Sequence, residues 1–186
     1  MLAQCPPGRH PSRVRVFTVG HGTRPIDELL EVLEGAEVRT LVDVRRYPSS
    51  RRHPQFNQAA LAAAVEGAGI AYRHAVELGG RRSGEPGEQS FRCIEVAAFR
   101  SYAARMRTRE WQDALAAALA ESEPCFMCAE TLWWRCHRRL IAELLMARGD
   151  EVVHLLRPGH SEPHRRWEPI SETRDGELYL CGELVA

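Results

Sequence analysis

Reactive side chains recur where the β-branched and aromatic runs of this chain end. Gly20-His21-Gly22-Thr23 follows the run Val14–Val19. Asp43 and Arg45 close and follow Thr40–Val44, and His74 ends Ile70–His74. Cys128-Ala129-Glu130 ends and follows Cys125–Cys128, and His154 lies in Glu151–Leu155. If these runs are strands of one open parallel sheet, their carboxyl ends share an edge, and ligands bind outside that edge. The residue types define the chemistry. Asp43, His21 and Glu130 are candidates for proton transfer. Cys128 and Cys136 are the candidate nucleophiles of a covalent step. Arg45, Arg81 and Arg138 are candidates for holding an anion, Arg81 from a loop that opens on Gly79-Gly80.

Composition narrows this chemistry. All 25 basic residues are arginine, balanced by 25 acidic ones to a net charge of zero. Without lysine there is no Schiff-base lysine, no phosphate-loop lysine and no protein-kinase lysine. An anion must then be held by arginine, histidine or backbone N–H groups. Zero net charge gives the molecule no overall bias toward nucleic acid or membrane, so any such bias must be local. Six cysteines in 186 residues do not suggest a disulfide scaffold. No N-terminal stretch resembles a signal peptide and no run reaches membrane-spanning length. The expectation is a reduced, cytoplasmic protein with no membrane partner.

The elements that must position these residues follow from periodicity. Ile26, Leu29, Leu30 and Leu33 share a helical face, with Thr23 as the expected N-cap, Pro25 in the first turn and Gly35 as the stop. Residues 45–56 carry two prolines and two serines and read as a loop, after which Asn57 is the expected cap of a helix bearing Leu61, Val65 and Ala68. Gly79–Ser90 reads as a long loop, followed by helices over Glu95–Arg105 and Arg109–Ala120. A helix over Leu132–Arg148 would centre His137 on the stripe of Leu140, Ile141, Leu144 and Leu145, flanked by Cys136 and Arg138. Cys136 would then sit in the first turns, where the helix dipole lowers a thiol pKa. Strand–helix alternation predicts an α/β fold: an open, mostly parallel sheet with helices on both faces. The expected division is a leader over 1–13, an α/β domain over 14–156 and an extension over 157–186, closing in a hairpin of Ile170–Thr173 and Leu178–Leu180 around Asp175-Gly176.

Two local patterns suggest other functions. Arg45, Arg46, Arg51 and Arg52 with Tyr47, His53 and Phe56 make a basic patch with interleaved aromatics, suited to phosphate contact and base stacking. The plain alternative is a solvated loop. Cys125 and Cys128 resemble a metal or redox pair, but residues three apart in a strand point to opposite faces. A zinc set would draw on Cys128, Cys136, His137 and His21. Buried structural cysteines are the commoner case, and no metal is assigned.

A wider pattern joins these motifs. Val19-Gly20-His21-Gly22-Thr23, Val42-Asp43-Val44-Arg45, Pro48, Arg51, Pro54, Phe56-Asn57, Tyr72, Leu78-Gly79-Gly80-Arg81, Cys128-Ala129-Glu130 and Cys136-His137-Arg138 together resemble the family called domain of unknown function 488, over roughly Phe17 to Leu155. The resemblance implies a Rossmann-like α/β fold and a shared cluster of polar positions. Thr23, Arg51, Tyr72 and His137 join Arg45, Arg81 and Arg138 as ligand-binding candidates on that basis. It implies no reaction. Leu132 and Trp133 stand where the family usually carries an acidic residue and a proline, leaving Thr131 as a replacement cap. The leading expectation is an enzyme acting on a small anionic, nucleotide-like substrate. The alternatives are a nucleic-acid-binding module using loop 45–57, and a Cys/His metal-binding or redox regulator. The sequence names no cofactor and no oligomeric state.

Overall fold

The computed structural model describes residues 14–186, so the leader expected over 1–13 lies outside the described residues. In chain order the elements are β1 (Arg15–Gly20), α1 (Ile26–Gly35), β2 (Thr40–Asp43), α2 (Gln58–Gly67), β3 (Ala71–His74), α3 (Ala97–Met106), α4 (Arg109–Leu119), β4 (Pro124–Cys128), α5 (Arg138–Ala147), β5 (Glu151–Arg157), β6 (His160–Pro163), β7 (Ser171–Arg174), β8 (Glu177–Leu180) and β9 (Glu183–Leu184). Single 3-10 turns lie at Pro54–Phe56, Val76–Leu78, Glu88–Phe91 and Trp133–Arg135.

Six strands form one sheet in the order β3-β2-β4-β1-β5-β6. All its neighbours are parallel except β5 and β6, which pair antiparallel. β2 and β4 are buried along their whole length, which is why they read as continuous apolar runs. One face is covered by α1 and α2, whose Leu29, Leu33, Leu61 and Val65 pack with Val19, Leu41 and Cys125. The other is covered by α3, α4 and α5, whose Tyr102, Trp111, Leu140 and Leu144 pack with Val16, Val42 and Cys128. The architecture is therefore a three-layer α/β sandwich. Cys125 and Cys128 enter cores on opposite faces, as their spacing requires.

The chain leaves β2 toward one edge of the sheet, to β3, and leaves β4 toward the other, to β5, though the two strands are neighbours. Their carboxyl ends therefore mark a topological switch point of an open α/β sheet, where a crevice forms. The loops after β1 and β4, by contrast, stay joined by His21 N–H to the Cys128 carbonyl and Gly22 N–H to the Ala129 carbonyl (both 2.9 Å).

The last thirty residues pack onto this body. β6 extends the sheet, and β7-β8-β9 form a small antiparallel sheet whose Leu178, Leu180 and Val185 join the core beneath α5. A disulfide joins Cys93 to Cys181, with Cα atoms 5.7 Å apart and a sequence separation of 88. The cysteine count did not anticipate it, because only the docking of the C-terminal sheet brings the two together. Among the described residues no helix is long and apolar enough to cross a membrane.

Four local expectations are corrected. α1 takes Pro25 as its N-cap residue with no side-chain cap, and Thr23 is an exposed turn residue before it. Asn57 occupies the N-cap position of α2, but its side chain accepts from the Ser50 N–H (2.6 Å), closing the loop instead of capping the helix. The helix expected from Leu132 begins only at Arg138, after the 3-10 turn at Trp133–Arg135. Cys136 is thus extended backbone outside the helix, its N-cap residue is His137, and Thr131 caps nothing.

Candidate functional site

Three glycines let the loops at the sheet edge close on one another. Gly20 pairs in register with Cys128, and a Cβ there would collide with the Glu130 carbonyl and lie 2.8 Å from Arg138 Nη2. A Cβ on Gly79 would lie 2.9 Å from the Arg46 Cα, and one on Gly80 would lie 2.5 Å from His137 Nδ1. Only a residue without a side chain fits against these groups.

The crevice floor is a cluster of two thiols and an imidazole. Cys128 comes from the end of β4, and Cys136 and His137 from the turn that enters α5. His137 Nδ1 lies 3.9 Å from Cys128 Sγ and 3.6 Å from Cys136 Sγ, and the three donor atoms all lie within 4.8 Å of one another. The other ring nitrogen, Nε2, is 3.2 Å from the Val44 carbonyl. A carbonyl only accepts, so Nε2 carries hydrogen and Nδ1 is turned to the sulfurs. The Tyr102 ring, 5.0 Å from the imidazole, supports it from α3.

Arg138 completes the cluster. Its guanidinium is 1% exposed and reaches Cys136 Sγ through Nε (3.5 Å), Thr18 Oγ1 through Nη1 (3.3 Å) and the Glu130 carbonyl through Nη2. No carboxylate among the described residues pairs with it. A buried cation without an acidic partner is expensive, and Cys136 is the group in contact with it that can carry the compensating charge. Burial opposes ionisation of Cys136. The hydrogen bond from Cys128, the charges of His137 and Arg138 and the His137 hydrogen bond outweigh it, holding this thiol well below the ordinary range. Cys128, hydrogen-bonded to Cys136 and buried, is pushed well above it. The two thiols are thus pushed in opposite directions, Cys136 toward the thiolate and Cys128 toward the thiol.

Asp43 belongs to a neighbouring hub. It is fully buried and accepts four hydrogen bonds: from Arg45 N (3.0 Å), Nε (2.8 Å) and Nη2 (2.6 Å), and from the Tyr72 hydroxyl (2.8 Å). Burial and the Asp43 charge together keep the Tyr72 phenol protonated, its pKa well above the ordinary value. Arg45 Nη1 donates to the Phe56 carbonyl (2.7 Å) and to His21 Nε2 (3.2 Å), and the Arg45 carbonyl accepts from His74 Nε2 (2.8 Å). His21 gives its Nδ1 hydrogen to the Gly22 carbonyl (2.9 Å) and stacks on Phe56 at 4.1 Å. Burial, then the Arg45 charge, lower its pKa to about 4, so it is neutral at physiological pH.

Above the thiols is a cavity of about 240 Å³ lined by Arg45, Arg46, Arg81, Glu130, Arg135, Tyr47 and Phe99 as well as Cys128, Cys136 and His137. Arg45 is neutralised by Asp43. Arg46, Arg81 and Arg135 form no ion pair with any carboxylate among the described residues, and Glu130 is the one acidic residue of the lining. The mouth is therefore electropositive.

The candidates read from the sequence divide accordingly. Cys128, Cys136, His137, Glu130, Arg45 and Arg81 line one cavity, with Arg138 directly behind Cys136. Asp43, His21 and Tyr72 adjoin it through Arg45 but do not line it, and Thr23 and Arg51 are exposed on loops apart from it. His21 has both nitrogens engaged and does not complete a four-ligand metal set. The aromatic interleaving of loop 45–57 is mostly lost. Phe56 is fully buried, while Tyr47 is 60% exposed under the Arg46 guanidinium. Arg135 is a cavity residue that the sequence does not single out, and Arg46 enters there only as part of the basic patch of loop 45–57. Glu143 was also missed, although an acidic residue beside the apolar stripe of α5 is a signal of a buried partner.

A doubly wound parallel α/β protein with a thiol and arginine pocket at its switch point is the class that fold and site define. The family model described as "Domain of unknown function DUF488" matches residues 25–145, and the chain belongs to that family. No curated protein and no solved structure matches the chain.

Proposed function

We propose that the protein is an enzyme acting on a small anionic substrate, with Cys136 as nucleophile. The observation that carries this reading is the buried, acid-free Arg138 guanidinium against Cys136 Sγ at the floor of a cavity whose mouth presents three unpaired arginines. A thiolate is the reactive form of cysteine, and a cation held against it from behind stabilises that form without blocking the cavity side. Arg46, Arg81 and Arg135 would attract and orient the anion, while Tyr47 and Phe99 offer ring faces to a planar part of it. Cys136 Sγ would attack an electrophilic carbon of the bound anion, and the protonated Cys128 thiol beside it is placed to give its proton to the departing group. Asp43 and His21, assigned to proton transfer on sequence grounds, act here on structure by fixing Arg45 in the cavity wall.

The test is site-resolved alkylation by iodoacetamide, followed by mass spectrometry of the cysteine peptides. Cys136 is expected to react fastest of Cys125, Cys128 and Cys136. Nucleoside monophosphates or inorganic phosphate should slow it, and Arg81→Ala with Arg135→Ala should abolish that protection. Equal reactivity of Cys136 and the fully buried Cys125 would refute the nucleophile. Stoichiometric zinc or iron in the purified protein would refute it too, because a coordinated thiolate is not free to attack. Protection by single-stranded nucleic acid alone, removed by Arg51→Ala with Arg52→Ala, would transfer the function to the arginine loop.

A further inference from the structure

Behind Arg138 a line of buried polar side chains crosses the protein away from the cavity, and the proposed chemistry leaves it unused. Thr18 Oγ1 is 2.7 Å from His154 Nδ1, His154 Nε2 is 2.9 Å from His164 Nδ1, and His164 Nε2 is 3.1 Å from Glu143 Oε1. Thr18 (β1), His154 (β5), His164 (after β6) and Glu143 (α5) are all buried. The far end is held firmly: Glu143 also accepts from the Trp167 N–H (2.7 Å) and the Ser171 hydroxyl (2.6 Å). The middle is clamped by Trp133, stacked on His154 at 4.2 Å and 10°.

Such a line has a direction. A carboxylate only accepts, so His164 Nε2 must carry hydrogen. With His164 neutral, its bare Nδ1 accepts from His154 Nε2–H. His154 Nδ1 is then bare and accepts the Thr18 hydroxyl hydrogen. Thr18 Oγ1 is left with lone pairs, and Arg138 Nη1–H fills one of them. Every donor points toward Glu143. Burial above all, with the Arg138 charge, lowers the His154 pKa to about 2, consistent with a neutral ring in mid-line.

We infer that Glu143 is a remote positioning residue for the thiol site: acting through His164, His154 and Thr18, it presents an acceptor to Arg138 and so holds the guanidinium on Cys136. The role of the thiol in this inference rests on the reading of Cys136 as nucleophile; the direction of the line does not. Reversing the line would make Thr18 Oγ1 accept from His154 Nδ1–H, so that the Arg138 N–H would share a hydroxyl oxygen already filled once, and the hydroxyl hydrogen would lose its His154 acceptor.

Two measurements test this. Long-range ¹H–¹⁵N correlation spectra of the wild-type protein at pH 7.5 report histidine tautomers directly. His154 and His164 are both expected as the Nε2–H form, and a hydrogen on Nδ1 of either overturns the inference. The second measurement is the pH midpoint of Cys136 alkylation. The titratable groups around Cys136 are Cys128 from β4, His137 and Arg138 at the start of α5, Tyr102 from α3 and His154 from β5. Thr18→Val removes the acceptor and leaves all of these in place. It should raise the midpoint by about one pH unit, the scale of one weakened charge-assisted contact, and Thr18→Ser should restore it. Glu143→Gln, whose amide oxygen can still face His164 and Trp167 N–H, should keep both tautomers, whereas Glu143→Leu should lose them. An unshifted midpoint in folded Thr18→Val overturns the positioning role. Slow Cys136 alkylation in the wild type with both tautomers as expected would sink the nucleophile and leave the line's direction standing.

Discussion

Replacing Asp43 by Asn should cost the fold more than it costs the thiol. Asp43 Oδ2 receives both Arg45 Nη2 and the Tyr72 hydroxyl, and Oδ1 receives Arg45 N and Nε. An asparagine keeps one oxygen. Its amide NH₂ must face two donors at the other position, so two hydrogen bonds to a charged acceptor are lost, at about 1.5–3 kcal/mol each. Breaking one side of a buried ion pair costs about 3–5 kcal/mol, in the same range. For a chain of this size that corresponds to a midpoint about 6–20 °C lower. Urea unfolding followed by fluorescence of the four tryptophans reads the loss directly. The second arm is a double-mutant cycle with Arg45→Met. Because each partner strands the other, the double variant should be more stable than the sum of the singles by about 3 kcal/mol. A loss below about 1 kcal/mol in Asp43→Asn, or strict additivity in the cycle, would show that the pair is not the strut described. Folded Asp43→Asn should still alkylate at Cys136. If it does not, Asp43 serves the thiol and not only the wall.

Three other outcomes follow from the geometry. Gly80→Ala places a methyl 2.5 Å from His137 Nδ1; it should slow Cys136 alkylation at pH 7 by about tenfold with an unchanged circular dichroism spectrum, and an unchanged rate would mean the ring is not held by that backbone. Acid should destabilise the protein before the carboxylates titrate. The folded pKa values of His21 and His154 lie at about 4 and about 2, below the 6.5 of an exposed histidine, so the unfolded chain binds more protons in that window and stability falls as pH drops below 6.5. Each histidine then accounts for about 2 kcal/mol between pH 7 and pH 5, and a flat urea midpoint over that interval would contradict their burial. Reducing the Cys93–Cys181 disulfide opens an 88-residue separation and should lower stability by about 2–4 kcal/mol; thiol-free unfolding curves that match those in dithiothreitol would refute a stabilising bridge.

Layer order and strand polarity were legible because β2 and β4 lack the alternation of a half-exposed strand, and because helical stripes separate the strands. The gathering of Cys128, Cys136, His137 and Arg81 at one edge followed from that polarity alone. What stayed hidden depended on distance in sequence. Asp43 and Arg45 are two residues apart, yet their pairing could equally have gone to Arg138. Only the closure of the Phe56 carbonyl and His21 onto the same guanidinium decides it. The start of α5 was misread because Trp133 and Trp134 continue the apolar pattern, whereas Trp133 is drawn out of the helix by stacking on His154 and by bonding through Nε1 to Glu162 (2.5 Å). His164 looked like one more histidine of a polar tail, since nothing local marks it as the partner of an acid 21 residues earlier.

The family-model match ends at residue 145, two residues past Glu143. Yet every side-chain or backbone donor that satisfies this carboxylate lies beyond that limit, at His164, Trp167 and Ser171. A fragment trimmed to the matched residues would lack all three of these donors, together with the end of α5 and the whole of β5. The residues that the family model matches and the residues that complete the fold therefore end at different places in this chain, and any excised version must be cut by the second.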